Sequence, residues 1–175
     1  EVLVPKKGKR LIVNVTIANN GKEDKKYRIL KCAFPYLNEL LMAPWDKPEW
    51  YTRTEYLKDE NAFLTTKFSV AGKKEERRYL TVVDSDEPKY RELSLERLAT
   101  STKNFTVLPS VIGKNTEDVL YAFKQCVSGL SEIAVRSGES YSFTQVFSIT
   151  DDEKDVSEDI AAAKKYFDGK AQKDE

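Results

Sequence analysis

The feature that most constrains this chain is a series of short runs in which apolar, β-branched residues alternate with polar ones between clusters of turn formers. RLIVNVTIA at 10–18 is followed by NNGK at 19–22 and then by KKYRILKCAF at 25–34. Side chains of a strand alternate between two faces, so such a run has one side to lay on a core. The Asn-Asn-Gly reversal between the two runs predicts an antiparallel hairpin with a loop longer than the minimum. In its second strand Tyr27, Ile29 and Ala33 fall on one side, and Leu30, Cys32 and Phe34 on the other.

The pattern recurs twice. AFLTTKFSV at 62–70, the loop AGKKE and ERRYLTVVD at 76–84 predict another hairpin. Period two assigns Leu64, Phe68, Val70, Leu80 and Val82 to its buried side, with Phe63, Thr65, Lys67, Arg77, Tyr79 and Val83 opposite. SEIAVR at 131–136, the turn SGES and YSFTQVFSIT at 141–150 predict the last hairpin.

Other stretches read as helices. In PKYRELSLERLA (88–99), Pro88 suits the first helical position and Asp86 and Glu87 suit its positive end. NTEDVLYAFKQCVSG (115–129) has a polar cap, early acids, a stripe of Val119, Leu120, Phe123 and Val127, and a terminal Gly129. VSEDIAAAKKYF (156–167) carries Val156, Ile160, Ala163 and Phe167 on one side and is stopped by Gly169. Residues 35–61 are the least regular part. Pro35, Pro44 and Pro48 punctuate them, 36–43 reads as a short helix, and Trp45, Trp50, Tyr51 and Tyr56 cluster as a core cover or a binding loop. NFTVLP at 104–109 reads as a short strand.

Strands with helices over them define the expected fold class as α+β. The chain is read as a bent antiparallel sheet, or a small open OB-like barrel, with two or three covering helices; a β-sandwich with added helices is the alternative. A length of 175 residues suits one domain over 1–150, followed at 151–175 by an acidic linker, the closing helix and a frayed end. No apolar run is long enough to span a membrane and no secretory signal is visible, so the expectation is a cytoplasmic chain with no membrane partner.

The chain has no histidine, which excludes His-based triads, His general acid–base chemistry and His metal ligands. Cys32 and Cys126 match no zinc or CxxC spacing and, in apolar company, read as buried free thiols. There is no phosphate-binding loop, no dinucleotide fingerprint and no nucleophile elbow. The best place for a hard cation is Asp84, Asp86 and Glu87, though a turn leading into a helix accounts for the same acids. These readings point to a non-enzymatic protein without a cofactor or metal.

Charge points to a binding role. The net charge of zero conceals nine basic residues against three acids over 1–35, a net of +6, and five against nine over 150–175, a net of −4. Basic residues also neighbour aromatic ones. Single-stranded nucleic acid needs both, cations against phosphates and flat rings against bases. Lys25, Lys26, Arg28, Lys67 and Arg77 are the candidate backbone contacts. Tyr27, Phe63 and Tyr79 are the candidate stacking rings, with Trp50 and Tyr51 in the loop. The alternative is a protein-interaction or self-assembly module meeting its partner through sheet edges and the tryptophan loop.

Overall fold

A computed structural model describes residues 1–5, 8–35, 52–68, 77–94, 98, 119–121 and 125–169. The described strands are β1 (Val2–Leu3), β2 (Arg10–Ala18), β3 (Lys25–Ala33), β4 (Thr52–Leu57), β5 (Ala62–Lys67), β6 (Arg78–Asp84), β7 (Tyr90–Ser94), β8 (Val119–Tyr121), β9 (Gln125–Val135) and β10 (Ser140–Thr150). A single turn of 3-10 helix, Lys58–Glu60, lies between β4 and β5, and one long helix, α1 (Glu153–Phe167), follows β10. No helix among the described residues is long and apolar enough to cross a membrane.

The strands form two antiparallel sheets, one of seven in the order β1-β2-β10-β6-β5-β4-β8 and one of three in the order β3-β9-β7. Neither closes into a barrel, so the expected OB-like barrel under two or three helices is corrected to a mostly β protein with two sheets and one long helix among the described residues.

The middle of the large sheet is buried on both faces. On one, Ala62, Tyr79, Val83, Ile12 and Val146 pack against Val156, Ile160 and Ala163 of α1. On the other, Tyr56, Phe63, Leu80 and Val82 pack against Leu93 of β7 and Val127 of β9. The helix is held by its sequence: Asp152 caps it by accepting from the Lys154 amide at 3.0 Å, Glu153 and Asp155 occupy its first turn, and the spacing of its apolar residues keeps them on one side. Segment 151–169 therefore supplies part of a core.

Three elements differ from their sequence reading. Residues 88–99 were expected to be helical, but 90–94 form β7; Pro88 lies against β9, where a Cβ on Gly129 would come within 2.7 Å of it. Gly129 is therefore a strand glycine that admits a neighbouring chain, not a helix stop. Residues 115–129 were also expected to be helical, but 119–121 form β8 and 125 onward form β9. β9 is the middle strand of its sheet, and Gln125–Ser131 are all buried, which erases the two-residue alternation that would have revealed it. β4 was unforeseen because its inward residues include Thr52 and Thr54. Thr54 Oγ1 lies 3.0 Å from Thr65 Oγ1 and 2.6 Å from Gln125 Oε1, so this part of the core is polar and hydrogen-bonded. The expected helix at 36–43, the strand at 104–109 and the tryptophan loop lie outside the described residues.

Candidate functional site

The β5–β6 register decides the fate of the proposed aromatic platform. Phe63 lies opposite Val82 and Leu64 opposite Thr81, so Phe63 shares a face with Leu80 and Val82, while Tyr79 shares one with Leu64 and Val83. The expected sorting joined the two strands with the wrong parity. Both faces carry apolar residues, and a one-residue slip exchanges them. Phe63 is 1% exposed against the small sheet and Tyr79 5% exposed beneath α1, so neither ring is open to a base.

The basic residues separate as well. Lys67 and Arg77 lie at the end of the large sheet where Tyr79 meets Thr150, and Arg77 lies over the Phe68 ring at 5.6 Å. Lys25 to Arg28 lie where β3 begins, beside the turn that leads into Ser140. The length of β10 separates these ends, on the order of 30 Å at the rise of a strand. Trp50 and Tyr51 lie outside the described residues. What the structure does bring together is Lys25, Lys26, Tyr27 and Arg28. Lys26, Tyr27 and Arg28 line a shallow groove with Glu132, Ile133 and Ala134 of β9. Arg28 donates to Glu132 at 3.2 Å, Lys89 also donates to Glu132, and these contacts hold the Glu132 carboxyl below its usual range.

The sequence's charge asymmetry is partly neutralised within the fold. Lys9 pairs with Asp151 at 2.9 Å and Arg10 with Asp159 at 2.9 Å, joining the basic front of the chain to the acidic start of α1.

A second cluster lies between the sheets. On β3, residues 25, 27, 29, 31 and 33 point the same way, and Lys31 is thereby carried inward with Ile29 and Ala33. Its ammonium donates to Asp84 at 3.0 Å and to Asp86 at 3.1 Å, and lies 5.0 Å from the centroid of the Phe143 ring. Gln145 donates to Asp84 at 3.2 Å, while Tyr141 and Ser131 donate to Asp86 at 2.9 and 3.1 Å. Burial pushes the Asp84 carboxyl up to about 6, opposed by Lys31. Burial and the bond to Asp86 push the Tyr141 hydroxyl up to about 12. With 2% of the Lys31 side chain and 1% of that of Asp84 exposed, their pair ties the sheets together out of solvent, while Asp86, 26% exposed, lies at the margin of the cluster. Of the three carboxylates considered as cation ligands, Asp84 and Asp86 are thus turned to a lysine and Glu87 is exposed, and no group of three metal-binding side chains forms among the described residues.

The role of Lys31 was missed, although a charged residue in phase with Ile29 and Ala33 was the signal that could have found it. Both cysteines are free; Cys126 is buried as expected, whereas Cys32 is exposed. Hydrogen bonding from Cys126 lowers the Cys32 thiol, while that contact and burial raise Cys126.

No protein-family model matches the chain, and no curated protein matches it.

Proposed function

We propose that this chain is a non-enzymatic protein-interaction module. The observation that supports this reading is where its exposed large aliphatic side chains lie. Val2, Leu3, Val4, Leu11 and Ile149 are exposed, and all belong to or adjoin β1, β2 and the end of β10. A cluster of aliphatic side chains in water on one margin of a sheet marks a surface that another polypeptide covers. The buried ionic cluster serves the scaffold, and recognition is left to this margin and the strand edges near it.

A second reading, contact with single-stranded nucleic acid, is favoured by the exposed Lys25, Lys26 and Arg28 beside Tyr27 at the start of β3. One pair of measurements separates the two. The intact chain is panned against a phage-displayed random library of peptides about twelve residues long, and titrated with labelled oligodeoxythymidine at about 50 and 200 mM salt. Enriched peptides without oligonucleotide binding support the interaction module. Oligonucleotide binding that weakens steeply with salt, without peptide enrichment, replaces it with the nucleic-acid reading.

A further inference from the structure

Among the described residues the small sheet is narrower than the sheet it covers, and the strands it lies over can be named. Lys31 of β3 reaches Asp84 of β6 and lies over Phe143 of β10. Gly129 of β9 comes near Phe63 of β5, and Arg91 of β7 lies over the Tyr56 ring of β4 at 4.1 Å. The three strands thus run above the stretch from β10 to β4. Among the described residues no strand continues the small sheet over β2 and β1, and β9 is the only strand paired with β3.

The floor left open is aliphatic. Leu11, Val13, Val15 and Ile17 lie opposite Phe147, Gln145, Phe143 and Tyr141, and so share the face that looks toward the small sheet; Val2, opposite Val13, extends it. Val13, Val15 and Ile17 are half-buried, and Leu11 and Val2 are exposed. Floor and edge together make a step. Neighbouring strands lie about 4.8 Å apart and packed sheets about 10 Å apart, so a strand added beside β3 would settle above β2.

We propose that this step is a strand-addition site, in which an extended segment of a partner protein pairs with the free edge of β3 as a fourth strand and lays its inward side chains on Val13, Val15 and Ile17. The inference rests on the interaction-module reading and names its partner class: an aliphatic strand with Asp or Glu at its outward positions. The charge requirement comes from Lys26 and Arg28, which stand exposed on the outward face of β3, where opposite charge on a cross-strand neighbour is favoured, as Glu132 of β9 already shows on the other side of Arg28. The same residues oppose pairing of two copies of this chain, because basic side chains on an edge guard it against its own kind.

The test uses peptides enriched by panning the intact chain. Those peptides should alternate β-branched with acidic residues. A synthetic copy should bind at least about tenfold more tightly than one with Lys in place of each acid, and should lose binding when alternate amides along the pairing edge are N-methylated. Amide exchange in β3 should slow on binding. Enriched peptides that tolerate N-methylation, or that slow exchange at β7 or β8 instead of β3, overturn the site while leaving the interaction module standing. A sedimentation profile showing that the chain dimerises through β3 overturns the choice of partner. Failure to enrich any peptide, with salt-dependent oligonucleotide binding, overturns the underlying reading itself.

Discussion

The two ends of β3 use the same side chain in opposite ways. Lys25 and Lys26 stand in solvent at its start, whereas Lys31, in phase with Lys25 on the same face, is 5% exposed and clamped between Asp84 and Asp86. Residue type and strand are shared. What differs is the sheet beneath, because the Lys31 end lies over the acidic end of β6 and the Lys25 end projects beside the turn at Ser137. An ammonium removed from water needs paired counter-charges to be tolerated, while an exposed one remains free to meet a partner. Position over the other sheet, rather than the identity of the side chain, separates scaffold from surface.

Several experiments can break or sharpen that contrast. The largest effect belongs to Lys31→Ala, which leaves Asp84 and Asp86 without their cation and should cost about 3–5 kcal/mol in urea unfolding. Lys25→Ala and Lys26→Ala should move the melting temperature by no more than about 2 °C. Equal losses at the two ends would mean that the strand is not divided as described. Phe63→Ala tests the inner face beside Lys31 and should cost about 3–5 kcal/mol. Phe34→Ala, at an exposed ring just past β3, should change the urea midpoint little.

A smaller effect follows from Asp84. Its carboxyl titrates near 6 in the fold against an ordinary 3.8, so between about pH 4 and 6 the folded chain holds a proton that the unfolded chain has lost. Protonation therefore favours the fold. This contribution is fully present below about pH 4 and is lost as pH rises through 6. The stability of the native chain relative to Asp84→Asn should grow by roughly 2–3 kcal/mol as pH falls from 7 to 4, measured by urea midpoints across that range. A flat difference would place the Asp84 carboxyl in a far wetter site. The mildest probe is chemical. Cys32, exposed and lowered by its neighbour, should react with iodoacetamide at least about tenfold faster than buried Cys126, as counted by mass spectrometry of the labelled peptides.

Much of the candidate site was written in the sequence and little of its grouping was. Lys25, Lys26, Tyr27 and Arg28 are neighbours in the chain, and a strand keeps them neighbours in space. Phe63 and Tyr79 required a register to be placed, and local pattern does not supply one when both faces of a sheet are apolar. Lys31, Asp84 and Asp86 come from two distant stretches, and only the stacking of one sheet on another brings them within hydrogen-bond reach.

The same division runs through the fold. The sequence by itself determined β2, β3, β10 and α1. Their surroundings differ enough from one side to the other for the side chains to record it, as alternation in the strands and as Val156, Ile160 and Ala163 at helical spacing in α1. Only the tertiary structure decided β4, β7 and the first half of β9, Gln125–Leu130. Thr52 and Thr54 stand on the inward side of β4 beside Tyr56, and most of β7 and the first half of β9 are buried throughout. A residue buried on either side of its strand leaves no contrast of apolar against polar from which its neighbours could be read.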